Sequence, residues 1–289
     1  MVQYNPKDWI TFIFRLHKSD TFRKLLPMMF FIGIYTAIIC YVEIDYYELK
    51  DTNQIKNTNV MHNMLGFVIS LLLAYRTNTA YERWWEGRKL WGNLVNNSRN
   101  LAIKLNVILE KKEDKHFFRI MIPQYARVLA NYLRNEEVSL LLYENTNLNI
   151  TKAKHAPNQV AYYLFDKINL LYQQKKIDGA QLQVINQEFQ SFTDVCGACE
   201  RIKNTPIPYS YSAFIKKFIF IYIMTLPYSY VFSLGYYAVP VVVFIFYVLA
   251  SLELIAEEIE DPFGTDANDL PILKIASNIK KNVEDIIVE

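Results

Sequence analysis

Residues 218–252 read FIFIYIMTLPYSYVFSLGYYAVPVVVFIFYVLASL, 35 consecutive positions without Asp, Glu, Lys, Arg or His. As one straight helix the run would be about 52 Å long, well beyond a hydrocarbon layer of about 30 Å. Pro227, Gly235 and Pro240 fall inside it, and both residue types interrupt helices. The expected arrangement is two short spans, residues 214–235 and 239–259, joined near positions 236–240. A run of this length and composition makes the chain an integral membrane protein of the all-α class.

Two earlier runs extend this reading. Residues 25–42, LLPMMFFIGIYTAIICYV, carry no charge and reach about 27 Å as a helix, which places a span at 25–43. Residues 60–75, VMHNMLGFVISLLLAY, are weaker because His62 and Asn63 sit near the start. Those groups fit a membrane interface, and the helix is expected to continue to about residue 80. Four transmembrane helices per subunit follow. Their flanks agree on orientation: Lys18, Arg23 and Lys24, the basic residues from Arg76 to Arg99, and Lys216 with Lys217 contrast with Glu43, Asp45, Glu48 and Asp51. By the positive-inside rule both termini are cytoplasmic.

The remainder, residues 83–213 and 260–289, reads as a large helical cytosolic region of the same single domain, 1–289. Stretches such as YARVLANYLRNEEVSLLL place apolar residues at helical spacing. Positions 143–157 break the pattern and suggest a surface loop, QQKKIDG marks a turn, and residues 274–289 form a short helix or a frayed arm.

Overall charge is nearly balanced, 31 basic against 29 acidic residues for a net +2, so no field is available to hold nucleic acid. Residues 1–14 do not resemble a typical signal peptide. Cys196 and Cys199 form an isolated C-x-x-C, read as packing thiols. The four histidines are scattered, no acid–base pair or metal constellation emerges, and neither an enzyme nor a cofactor is expected.

Three segments could carry function. Phe67, Leu71 and Tyr75 lie at i, i+4 and i+8 and form one helical stripe. Copies of that helix around an axis would stack the stripe into rings, a constriction that controls ion hydration. Ordinary core packing suits the same spacing. Gly66 and Ser70 offer small surfaces for close helix approach. Residues 76–92, RTNTAYERWWEGRKLWG, interleave Arg76, Glu82, Arg83 and Glu86 with Trp84 and Trp85, a composition suited to the membrane boundary and to salt bridges between helices. Residues 252–264, LELIAEEIEDPFG, end in a Pro–Gly turn before Asp266, Asn268 and Asp269, which suit turn capping or, as oxygen ligands, a hard cation.

Three motifs, AYERWWEGRKLWGNLVNNSRNLA at 80–102, CERIKNTPIPYSY at 199–211 and IAEEIEDPFGTDANDLPI at 255–272, resemble the bestrophin family in its bacterial branch. The resemblance spans nearly the whole chain. It implies a homopentamer around one central pore, each subunit with four identical partners, in the bacterial inner membrane among lipids. It implies that Phe67, Leu71 and Tyr75 form the pore neck, and that Arg76, Glu82, Arg83, Trp84, Trp85 and Glu86 support it. A second, cytosolic aperture is implied near Ala180, Leu182 or Val184. Where animal relatives carry an acidic calcium clasp, this chain has Thr265, Asp266, Ala267, Asn268 and Asp269, at most a degenerate remnant. The expected activity is passive flow of ions, principally monovalent cations such as Na⁺ or K⁺ as in the bacterial branch. An anion channel, as in animal relatives, and a membrane scaffold or receptor without flux are the alternatives.

Overall fold

The computed structural model describes residues 21–48, 53–136 and 154–288, with the backbone alone at 53–58. Helix α1 spans Thr21–Tyr41 and continues into a π-helical turn, Val42–Tyr46. Helix α2, Asn53–Ile108, is followed by α3, Lys112–Leu133, α4, Ala156–Gln173, and α5, Gly179–Asn204. Helix α6, Tyr209–Leu234, leads through a 3₁₀ turn at Gly235–Tyr237 into α7, Ala238–Glu260, and α8, Ile272–Ile286, closes the fold.

The four separate membrane helices expected from the sequence are corrected here. Among the described residues, helix long and apolar enough to cross a membrane occurs as three stretches, Thr21–Tyr46, Asn59–Ile108 and Tyr209–Glu260. The last covers 52 residues and is continuous except for one 3₁₀ turn. Two of its three expected interruptions do not interrupt. Pro227 is accommodated inside α6. Pro240 falls in the first turn of α7, where backbone N–H groups have no intrahelical acceptor to lose. Only Gly235 breaks the helix, with φ +54°, a left-handed conformation that a side chain disfavours.

Two apolar cores share one helix. Near the membrane end, Ile69 and Leu73 of α2 pack with Leu25, Ile32, Ile219, Ile223, Val242 and Phe246. Further along, Trp91, Leu94, Leu101 and Leu105 of the same helix enter a second core with α3, α4, α5 and α8. With 56 residues, α2 is about 84 Å long, enough to run through both. His62 clips its membrane half to α6, one ring nitrogen 3.0 Å from Thr225 Oγ1 and the other 2.8 Å from Ser229 Oγ.

The chain's ends of helix sort by charge. At one end Tyr236 donates to Asp45, and the Cys40 thiol lies 3.8 Å from the Gly235 carbonyl. At the other Lys24 pairs with Glu258, Lys216 with Glu257 at 2.9 Å, and Ser251 donates to Thr21 at 3.0 Å. The basic flanks thus meet the acidic end of α7.

The cytosolic reading of the tail resolves to a helix. Ile272, Ala276, Ile279 and Val283, at i, i+4, i+7 and i+11, are buried against α2 and α3. The turn read from QQKKIDG separates α4 from α5, where Asp178 accepts from Gln181 N at 2.8 Å in a capping box. The loop expected at 143–157 lies outside the described residues as far as position 153. Its last two positions, Ala156 and Pro157, already begin α4.

Gly87 of α2 lies against the turn that follows α7, where Phe263 and Leu270 belong to the second core. A Cβ there would lie 3.1 Å from the Phe263 ring and 3.2 Å from Leu270. An alanine gains about 1 kcal/mol of helix propensity and loses about as much to crowding. Gly87→Ala is therefore expected to melt close to the wild type, whereas Gly87→Leu, with no added propensity gain and far more volume, should lower the melting temperature by several degrees, as read by thermal unfolding in detergent.

Candidate functional site

Helix α2 presents two different faces. Ile69, Leu73, Arg76 and Ala80, at i, i+4, i+7 and i+11, are buried against the rest of the chain. At about 100° per residue, positions 67, 71 and 75 fall on the other side. Phe67, Leu71 and Tyr75 are correspondingly 72%, 47% and 61% exposed. Packing among the described residues does not explain the stripe, since the core they form leaves it uncovered. The same face holds Ser70, Asn78 and Thr79, all exposed, with the Ser70 and Thr79 hydroxyls returned to the carbonyls of Gly66 and Tyr75.

Behind the stripe the helix is pinned by charge. Arg76 is 1% exposed and its Nη2 donates to Glu260 Oε2 at 2.6 Å, while its Nε faces Glu253 Oε2 at 3.6 Å. The other oxygen of Glu260 accepts from the Ile207 amide at 2.6 Å. Two turns along, Arg83 spends its guanidinium on three backbone carbonyls, Glu260 at 3.0 Å, Thr205 at 2.6 Å and Ile202 at 2.6 Å. Those are the C-terminal ends of α7 and α5, where carbonyls lack helical partners and a cation is favoured. Trp84 Nε1 donates to the Asn268 carbonyl at 3.0 Å. Tyr81, Trp84 and Trp85 form a near-parallel aromatic group, with Trp85 exposed. Glu86 meets Arg201 at 2.7 Å, and Glu82 is exposed.

Glu260 is the hub that sequence reading did not single out. Its signal was present: Glu253, Glu257 and Glu260 lie at i, i+4 and i+7, and the buried Arg76 needed an anion.

Asp266, Asn268 and Asp269 form a turn that closes on itself. Asn268 Nδ2 donates to Glu258 at 2.6 Å, and the Asp266 amide donates to Asp269 Oδ2 at 2.6 Å. Gly264 is required beside it, because a Cβ would lie 2.7 Å from that same Asp269 oxygen. The Asp269 carboxyl is 2% exposed, and burial pushes its pKa up to about 7, with Asp266, Asp261 and Glu258 adding repulsion. Of the three aperture candidates, Ala180 and Val184 are exposed on α5, while Leu182 packs against the cytosolic core.

An all-helical membrane protein with one long helix crossing two cores and an uncovered apolar stripe on it defines the class. The chain belongs to the bestrophin family, matching over residues 1–285 the branch described as Bacterial/Fungal Bestrophin protein. That family is not one of enzymes. A voltage-dependent anion channel-forming protein of Nostoc sp. is 36% identical over 230 residues, 76% of this chain and 75% of that protein. One of Synechocystis sp. is 33% identical over 98% of this chain and 93% of that protein. A solved bacterial bestrophin homolog from Klebsiella pneumoniae, 24% identical, shares the fold with a TM-score of 0.81, covering 91% of this chain and 98% of that one. These relatives overturn the expectation of monovalent cations. Branch similarity suggested cations, whereas the curated relatives similar to this chain are named for anions.

Asp269 gives the turn a pH signature. Its folded pKa lies above the ordinary 3.8, so the folded state holds an extra proton between the two values and stability falls as pH rises through that window. Thermal unfolding should show the wild type gaining stability as pH drops from about 8 to about 6, with Asp269→Asn flattening that slope; an identical slope in the variant would contradict the assignment.

Proposed function

We propose that the protein is a passive anion channel of the inner membrane, conducting chloride-like ions through a central pore whose neck is the Phe67, Leu71 and Tyr75 stripe. The observation that carries the reading is that this stripe stands uncovered, with Ser70, Asn78 and Thr79 on the same face. A face mixing an exposed amide with apolar rings is a poor match for lipid tails and a better one for other copies of the helix around water. Five copies, each with four identical partners, accord with the family resemblance and would turn the stripe into stacked rings.

Anion preference follows from the chemistry of those rings. Phenyl edges are electropositive, and a phenol hydroxyl donates hydrogen bonds, so Phe67 and Tyr75 offer an incompletely hydrated anion partial replacement for its water. Neither supplies a negative charge that a cation would need. The names of the relatives agree with this polarity.

Arg76 and Arg83 in this reading hold the neck in register rather than touch ions, because their donors point to Glu260 and to helix ends. Residues 83–213 and 260–289 form the cytosolic part of a single domain, 1–289, with both termini on that side. Ala180 and Val184 are the positions for a lower aperture, since Leu182 is turned to the core. Asp266, Asn268 and Asp269 serve as a docking turn beneath Trp84, and lipids surround α1, where Phe30 and Phe31 are exposed.

Purified protein in planar bilayers under a salt gradient tests the proposal. The current should reverse near the chloride equilibrium potential, and alanine at Phe67, Leu71 and Tyr75 together should raise unitary conductance several-fold. Reversal at the cation potential would overturn the polarity, and unchanged unitary currents in the triple variant would overturn the neck. Absence of any flux would favour a membrane scaffold instead.

A further inference from the structure

We propose that His155, Cys196 and Glu200 form a binding site for a zinc-class divalent cation, joining the start of α4 to α5. Their donor atoms lie within 4.8 Å of one another, drawn from two elements far apart in sequence. Cys196 and Glu200 are four residues apart on α5 and share a face. His155 comes in from the N-cap of α4, its Nε2 2.6 Å from Glu200 Oε1. One imidazole, one thiolate and one carboxylate make the mixed nitrogen, sulfur and oxygen set that suits Zn²⁺ or Co²⁺ and is poorly matched to Ca²⁺ or Mg²⁺.

The surroundings fit the charge and the access. A thiolate and a carboxylate balance a dication, leaving the Lys203 ammonium at the rim, held by the Tyr132 carbonyl at 3.1 Å and Asn135 Oδ1 at 2.6 Å. The Tyr132 hydroxyl donates to the same Glu200 oxygen at 2.8 Å and orients it. His155 and Glu200 side chains are 28% and 26% exposed, which opens a route for the ion to a buried thiol.

A histidine–carboxylate hydrogen bond accounts for two of these groups, and it is the state without metal. There Nδ1 accepts from the Asn158 amide at 3.2 Å, so Nε2 carries the proton. Binding moves that proton to Nδ1, forfeiting a long cap bond, and the Nε2 lone pair goes to the metal. Cys196 releases one proton as its sulfur becomes a ligand. Uptake should therefore weaken as pH falls.

The full-length protein, purified in detergent and stripped with chelator, is titrated with Co²⁺ and Zn²⁺. One Co²⁺ per chain should bind with a thiolate-to-cobalt charge-transfer band, which Cys196→Ser abolishes and Cys199→Ser keeps. His155→Gln and Glu200→Gln should each weaken Zn²⁺ at least about tenfold while eluting and melting like the wild type. No band in the wild type, a band that survives Cys196→Ser, or unchanged zinc affinity in both other variants overturns the site. Because His155 is partly exposed at a helix end, its variant decides the matter if Cys196→Ser fails to fold.

Discussion

A single buried guanidinium organises this fold. Arg76 is taken almost wholly out of solvent one residue after Tyr75, and its charge is met by Glu260 and Glu253 from α7. Burying an arginine without an anion is prohibitive, and removing one partner of a buried pair costs about 3–5 kcal/mol. The rotation of α2 about its axis is thereby fixed: if Arg76 must face α7, then Phe67, Leu71 and Tyr75 must face away. Arg83 repeats the constraint two turns later by tying α2 to the ends of α5 and α7 at once. Glu260 links both, and through the Ile207 amide it also fixes the entry to α6.

This clamp sits where the apolar core of the membrane half gives way to the cytosolic core, so one rigid helix carries both the candidate neck and the start of the cytosolic assembly. In the proposed channel, a movement of the α7 end or of the docking turn under Trp84 would be delivered to the neck through α2 rather than absorbed by a loop. Gly87, with Phe263 and Leu270 close against its backbone, leaves little room between α2 and that turn. In that proposal the anion-preferring chemistry needs only ring edges and hydroxyls, with charge kept away from the proposed path.

Much of this was legible in the sequence, and the failures are instructive. The charge-free run at 218–252 gave the membrane class outright, and the spacing of Phe67, Leu71 and Tyr75 picked out a stripe that the structure leaves uncovered. The roles of Pro227 and Pro240 were misread because a proline's effect depends on which carbonyl it would block, and that is a property of the helix boundary rather than of the residue. Glu260 escaped notice among five neighbouring acids, since what distinguishes it is its partners, Arg76 and Ile207, 184 and 53 positions away. The grouping of His155 with Cys196 and Glu200 was likewise invisible, because His155 reaches Glu200 across 45 positions and no local spacing announces it. Ion polarity was the largest error: an apolar neck of the kind proposed carries no charge to count, and the relatives named for anions, not the composition, point the other way.

The central claim is that ions pass along the exposed face of α2. Cysteine placed at Leu71 and, as a lipid-side control, at Phe30, reports on it directly, because Cys40, Cys196 and Cys199 are buried and give little background. A charged, membrane-impermeant thiol reagent should block chloride current through the Leu71→Cys channel and leave the Phe30→Cys channel unaffected. Full labelling at position 71 without loss of current, or equal block at both positions, would contradict the account.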